Sequence, residues 1–387
     1  MKRTLLLSLA LLAALPAMAR ELNIGYLDLA DDPRYDATRL ERRFQGQPWG
    51  RPLAGAEVAV EESSFAAEAL GLTLKLETAE ADDADGLGAA LDGLLAHGAR
   101  FVLVDLPAPA LAQLAAATRG RGVTLINVGA SADALRGAQC QPHLLHTAAS
   151  ESMLADALGQ YLVSRKWRKV LALVGPLPAD RERMDAFARS AKRYGLKIVA
   201  ERPFKLSNDP RERDLGNIGL LTAGEDYDAV YIADSDGEFA RDAQFRTVLP
   251  RPVVGSAGLV ADIWQWGWER NGAPQLNNRF RKSAKREMSG ADWAAWVAVK
   301  GVVEASLRVA DGDDAAVLRY LRGGEIIIDG FKGARLSFRA WDGQLRQPVF
   351  LGYGNGVAAS APVDGFLHPT NTLDTLGADE RDSTCKF

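Results

Sequence analysis

The stretch RFVLVDLPAPALAQLAAATRGRGVTLINVGAS, Arg100 to Ser131, decides how the chain reads. Phe101 to Leu106 is an apolar, β-branched run. An Ala- and Leu-rich segment of helical spacing follows, Gly120 and Gly122 interrupt it, and a second apolar run covers Val123 to Val128. Strands that are apolar on both faces belong to a parallel sheet covered by helices, and the crossover between two of them is right-handed. The stretch is therefore a β-α-β unit. Ligands of such sheets sit beyond the carboxyl ends of the strands, which directs attention to Asp105 to Pro109 and to Gly129 to Ser131.

The same alternation extends in both directions. Upstream, Leu22 to Leu29 (LNIGYLDL) reads as a strand containing Asp28, Leu53 to Leu70 as a helix stopped by Gly71, Leu72 to Glu77 as a strand and Leu87 to Ala96 as a helix. Asp31 to Pro52, carrying Tyr35 and Trp49, is long for a β-α connection and marks a functional loop or an interface. Downstream, His143 to Ala148 reads as a short strand. The series then restarts: helix Glu151 to Ser164 behind a Ser150 cap, strand Lys169 to Val174, helix Asp180 to Tyr194, strand Leu196 to Arg202, helix Pro210 to Ala223, strand Ala229 to Ala233, helix Glu238 to Thr247 and strand Pro252 to Gly255. Two series mean two α/β lobes with parallel sheets. Helices at Asn277 to Met288 and Ala291 to Ala310 arrive after both series are complete, so the chain crosses between lobes more than once. Late strands fall at Ala334 to Phe338 and Pro348 to Gly352. The resulting division is residues 1–19 as a targeting segment, 20–139 with about 256–330 as the first lobe, 140–255 with about 331–363 as the second, and 364–387 as a tail. At 387 residues the chain exceeds the roughly 250–300 at which one core stops growing.

Lys2 and Arg3, the apolar Leu5 to Leu15 and Ala17-Met18-Ala19 before Arg20 have the form of an export signal cleaved after Ala19. The expected location is the periplasm, with no membrane insertion after cleavage, because no later stretch reaches the roughly 20 apolar residues of a spanning helix. The formal charge of -4, or -6 without Lys2 and Arg3, and the lack of a basic stripe exclude a general nucleic-acid binder. Cys140 and Cys385 form an even pair in an exported chain and read as a disulfide that anchors the tail, two free thiols being the alternative.

The mature start LNIGYLDL, the segment GAEVAVEESSFAAEALGLTLKLETAEAD, the β-α-β unit, KVLALVG and DAVYIADSD together resemble the type I periplasmic substrate-binding proteins of ABC transporters, of the leucine/isoleucine/valine-binding kind. LHTAAS, AVKGVVEASLR and the end DERDSTCKF look like the subgroup that accompanies PQQ-dependent alcohol dehydrogenase systems. The resemblance implies two Rossmann-like lobes joined by a multi-strand hinge, a small-molecule ligand between them and an inner-membrane ABC permease as partner. A ligand-sensing receptor without transport and a branched-chain amino-acid-binding protein are the alternatives. No resident cofactor is expected.

In amino-acid-binding relatives, hydroxyls and backbone N–H groups after two first-lobe strands hold the ligand carboxylate, and a second-lobe acid holds its ammonium. The resemblance places Asp28, Asp105, Ala108, Gly129, Ala130 and Ser131 on the first wall and Asp234, Asp236 and Ser256 on the second. Ser131 also reads as a helix cap. Pro107-Ala108-Pro109 departs from the pattern, since it has no hydroxyl and prolines have no N–H. Gly175-Pro176-Leu177-Pro178 with Tyr35 and Trp49 points to a pocket with more apolar wall than charge, suited to a small alcohol, acid or aromatic metabolite. Trp264, Trp266 and Trp268 read as packing at a domain crossing, with stacking on a flat ligand as the other reading. His143 and His146, three apart on a strand, point to opposite faces and make a poor metal pair. The acidic clusters lack calcium-loop spacing. No Gly-x-Ser-x-Gly, Walker-type, His-Glu-x-x-His or Cys-x-x-Cys motif occurs, and the expectation is a binding protein rather than an enzyme.

Overall fold

The computed structural model describes residues 20–36, 38, 47–309 and 313–387. The targeting segment 1–19 lies outside these residues. Strands β1 (Arg20–Leu29), β2 (Leu72–Ala81), β3 (Phe101–Asp105), β4 (Thr124–Asn127) and β5 (Leu144–His146) form a parallel sheet in the order β2-β1-β3-β4-β5. Every residue of β3 is buried, which explains its apolar run Phe101 to Val104 ahead of the terminal Asp105. Helices α1 (Leu53–Ala69), α2 (Leu87–Ala96) and α3 (Ala108–Ala117) are its crossovers. Pro107 and Pro109 stand at the start of α3, where a missing N–H costs no helical hydrogen bond.

The second parallel sheet has the order β7-β6-β8-β9, from β6 (Lys169–Val174), β7 (Lys197–Pro203), β8 (Ala229–Ala233) and β9 (Val253–Gly255). Helices α4 (Glu151–Ser164) and α5 (Pro178–Tyr194) belong to this lobe, and Ser150 caps α4 by accepting from the Met153 N–H. The expected helix over Pro210 to Ala223 is a 3-10 stretch, Pro210–Gly216, followed by the single turn α6, Ile218–Leu221. Glu238 to Thr247 holds only a 3-10 stretch at Ala240–Phe245.

The lobe boundaries differ from the sequence reading at two places. β5, assigned with residues 140–255 to the second lobe, is the edge of the first sheet. Strand β10 (Val260–Asp262), assigned to the first, pairs antiparallel with β14 (Val349–Tyr353), which pairs with β15 (Gly356–Ala361). A register this distant in sequence leaves no local signal. Helix α7 (Ala273–Ala284) and helix α8 (Gly290–Arg308) return to the first lobe and pack on α1, where Gly55 lets the α8 backbone at Asp292 come close. A further helix, α9 (Asp314–Arg322), and the small sheet β11 (Ile328–Asp329), β12 (Arg335–Phe338) and β13 (Leu345–Arg346) follow.

The crossings are hydrogen-bonded to one another. Gln344 Nε2 donates to the carbonyls of His146 and Ala148, Gln347 Nε2 donates to that of Thr147, and buried Arg136 joins Gln344 Oε1 to the Ala148 carbonyl. Such satisfied buried polar groups hold one arrangement of the strands. Cys140 and Cys385 are bridged. The tail also docks on the second lobe, where the Tyr194 hydroxyl donates to the Thr375 carbonyl and Asp156 accepts from the Gly377 N–H. Among the described residues no helix is long and apolar enough to cross a membrane.

Candidate ligand site

A cavity of about 490 Å³ lies where both sheets end and the chain crosses. Its first-lobe wall begins at the end of β3. Asp105 is fully buried and takes an ion pair from Arg34 Nη1 at 2.9 Å and a hydrogen bond from the Tyr35 hydroxyl at 2.6 Å. Burial holds the Asp105 carboxyl above the usual carboxylate range, against the opposing pull of Arg34. Arg34 also grips Asp32, with Nε at 2.9 Å and Nη2 at 2.6 Å from Oδ2. Arg34, Tyr35, Gln47, Trp49 and Gly129 reach the lining, whereas Asp105 stands behind them.

The second wall begins with α5, whose first turns present Ala179 and Arg183. The Arg183 side chain is 34% exposed. Its Nη1 donates to the Asp234 carbonyl at 3.2 Å and to Ser256 Oγ at 3.3 Å, and its Nε lies 3.6 Å from Glu151. The crossing from β10 adds Asp262, Trp264, Gln265 and Trp266, and β14 adds Phe350. Trp264 is buried, stacks on Trp293 at 6.1 Å and donates its Nε1–H to Asn277. One tryptophan thus both packs the crossing and walls the cavity.

Of the nine residues the sequence nominates, the structure brings Gly129 to the lining. Asp28 is paired with Arg51 at 2.6 Å. Ala108 sits at the start of α3, away from the lining. The Gly129 and Ala130 N–H groups are taken by Asn127 Oδ1 at 3.2 and 2.8 Å. Ser131 does not cap a helix: the element that follows is the 3-10 turn Asp133–Arg136, and the Ser131 hydroxyl donates to Glu151 at 2.6 Å. Asp234 is buried and accepts from the Ala240 N–H at 2.9 Å, so it closes its own turn. Asp236 is half-buried outside the lining, and Ser256 accepts from the Asp234 N–H behind it. Arg34 and Arg183 escaped the sequence reading because no motif surrounds them. The Trp-rich IWQWGWER stretch was the available signal for the third wall.

Residues 45–241, just over half of the chain, match the family model described as periplasmic binding protein. The chain belongs to the periplasmic binding protein family. Among solved structures it is similar to a branched-chain amino acid ABC transporter periplasmic ligand-binding protein from Burkholderia xenovorans, at 14% identity and TM-score 0.71, covering 94% of this chain and 99% of that one. It is also similar to an ABC transporter solute-binding protein from R. palustris in complex with benzoate, at 15% identity and TM-score 0.66, covering 95% and 99%. A branched-chain amino-acid transporter substrate-binding protein from Streptococcus pneumoniae in complex with isoleucine gives 16%, TM-score 0.65, 88% and 99%. No curated protein sequence matches.

Proposed function

We propose that the protein is the periplasmic solute-binding component of an ABC-type importer, which holds a small molecule between its lobes and presents the loaded form to a membrane permease. The observation that carries this reading is the 490 Å³ cavity lined from both lobes and from the crossing between them. A ligand that touches both lobes shifts the balance between open and closed forms by its differential affinity, and the closed form is the state a permease reads. The motifs LHTAAS and DERDSTCKF support a place in a system serving PQQ-dependent alcohol oxidation. The cavity volume falls in the range of small-molecule sites.

The test is a reconstituted permease in vesicles with the mature protein outside. Solute-dependent docking and ATP hydrolysis are expected. Docking that ignores solute, or capture of a kinase or other regulator in place of a permease, turns the reading toward a sensing receptor. Growth on alcohols after deletion of the gene tests the quinoprotein link, and growth unchanged from the parent strain refutes it.

A further inference from the structure

The cavity lining is aromatic on several sides. Tyr35 and Trp49 stand together with ring centroids 6.3 Å apart, and Trp264, Trp266 and Phe350 line it from the crossing and β14. Rings in tilted and offset arrangements favour a flat aromatic partner over a branched aliphatic one.

The polar groups of the lining are unevenly used. Arg34 is saturated by two carboxylates, whereas the hydrogen bonds of Arg183 are long, 3.2 and 3.3 Å, and its carboxylate neighbour is 3.6 Å away. Trp49 Nε1 is buried and has no acceptor among the described residues, a state that costs free energy until something accepts from it. A planar guanidinium with spare donors suits a carboxylate. The acids that would hold an amine are engaged elsewhere: Asp28 by Arg51, Asp105 by Arg34 and Tyr35, Asp234 by its own turn. The lining itself has Arg34 and Arg183 against Asp262, whose Oδ1 accepts from the Ile263 N–H.

We infer that the ligand of this cleft is a planar aromatic acid, its ring among Tyr35, Trp49, Trp264 and Trp266, its carboxylate on Arg183 and a further acceptor atom on Trp49 Nε1. This rests on the solute-binding reading above and names its ligand class. The Trp49 requirement selects acids with a second oxygen or ring nitrogen over simple benzoate.

The experiment is titration calorimetry of the mature protein with benzoate, 3-hydroxybenzoate, benzyl alcohol, benzylamine, cyclohexanecarboxylate and leucine, with a fluorophore pair across the lobes reporting closure. The aromatic acids are expected to bind at least about tenfold more tightly than the alcohol, the amine and the saturated acid, with hydroxybenzoate ahead of benzoate. Arg183→Met should weaken the acids about tenfold and leave benzyl alcohol unchanged. Trp49→Phe, which keeps a ring and loses the N–H, should abolish the preference for hydroxybenzoate without lowering the melting temperature. Tighter binding of benzylamine or leucine, or an Arg183→Met loss equal for acid and alcohol, overturns the ligand class. If such a competitor still closes the lobes, the solute-binding reading survives that failure. No binding by any member and no closure counts against both.

Discussion

Gly129→Ala tests whether the first-lobe wall is built on a close approach. A Cβ at this position would run into Asp105 Oδ1 and lie 2.7 Å from Arg34 Nη1. Neither group can retreat freely, because Asp105 is fully buried and held by the Tyr35 hydroxyl, and Arg34 is fastened to Asp32. Overpacking alone costs about 1–3 kcal/mol, and breaking a buried ion pair about 3–5 kcal/mol. A partial displacement therefore predicts a loss of about 2–4 kcal/mol in urea unfolding, read as a fall in midpoint at unchanged m-value. Arg34 and Tyr35 line the cavity, so affinity for any solute that closes the wild-type protein should fall by about tenfold, which is about 1.4 kcal/mol. Gly93→Ala is the control. Gly93 lies mid-helix in α2, exposed, where a Cβ would meet no atom of the described residues within 4 Å, and this change should stabilise by about 0.5–1 kcal/mol. Stability within about 0.5 kcal/mol of wild type together with unchanged affinity in Gly129→Ala would refute the reasoning.

Further outcomes follow from the same geometry. Cys385→Ser opens a covalent loop of sequence separation 245, which the chain-entropy model values at about 5 kcal/mol; a melting temperature equal to wild type would show that the tail's hydrogen bonds to the second lobe suffice. Asp234→Ala removes the acceptor of the Ala240 N–H and should cost about 1–2 kcal/mol with affinity unchanged, whereas a loss of affinity at full stability would return Asp234 to the ligand. Burial pushes the Asp156 carboxyl up to about 6 from 3.8, against the pull of Arg193. The folded state thus favours the protonated form, and the stability this contributes is complete below about pH 4 and is lost as pH rises through about 6, amounting to about 3 kcal/mol at 1.36 kcal/mol per unit. Asp156→Asn should flatten that stretch of the profile in thermal melts between about pH 4 and 7.5, and parallel profiles for the two proteins would contradict it. Exported protein should begin at Arg20 by mass spectrometry, and retention of Met1 would overturn the signal reading.

The β-α-β unit was legible because burial on both faces leaves β3 no polar position before its last residue, Asp105, so its composition alone separates it from a half-exposed strand. The pairing of Cys140 with Cys385 was legible from count and compartment. Gly129, two residues past the carboxyl end of β4, was nominated because ligands of such sheets gather there, and it reaches the cavity lining. Asp234 and Ser131 were misplaced for a common reason: a carboxylate or hydroxyl after a strand serves a turn N–H, a neighbouring helix or a ligand with the same donors and acceptors. Composition does not distinguish these uses. The helix expected over Glu238 to Thr247 became a 3-10 turn organised by Asp234, a contact set by how the strand end folds back.

By itself the sequence determined the class of the fold, two lobes of parallel strands with helical crossovers, because periodicity and burial act locally and repeat along the chain. Which side chains face the cleft was decided by the tertiary structure. Arg34, Arg183, Trp49 and Trp264 are separated by as many as 230 residues and meet only after the chain has crossed between the lobes. β10 finds β14 across 86 residues of intervening sequence, a pairing that no local pattern encodes. A site assembled from several crossings depends on long-range register, and that register is fixed by packing rather than by any single stretch.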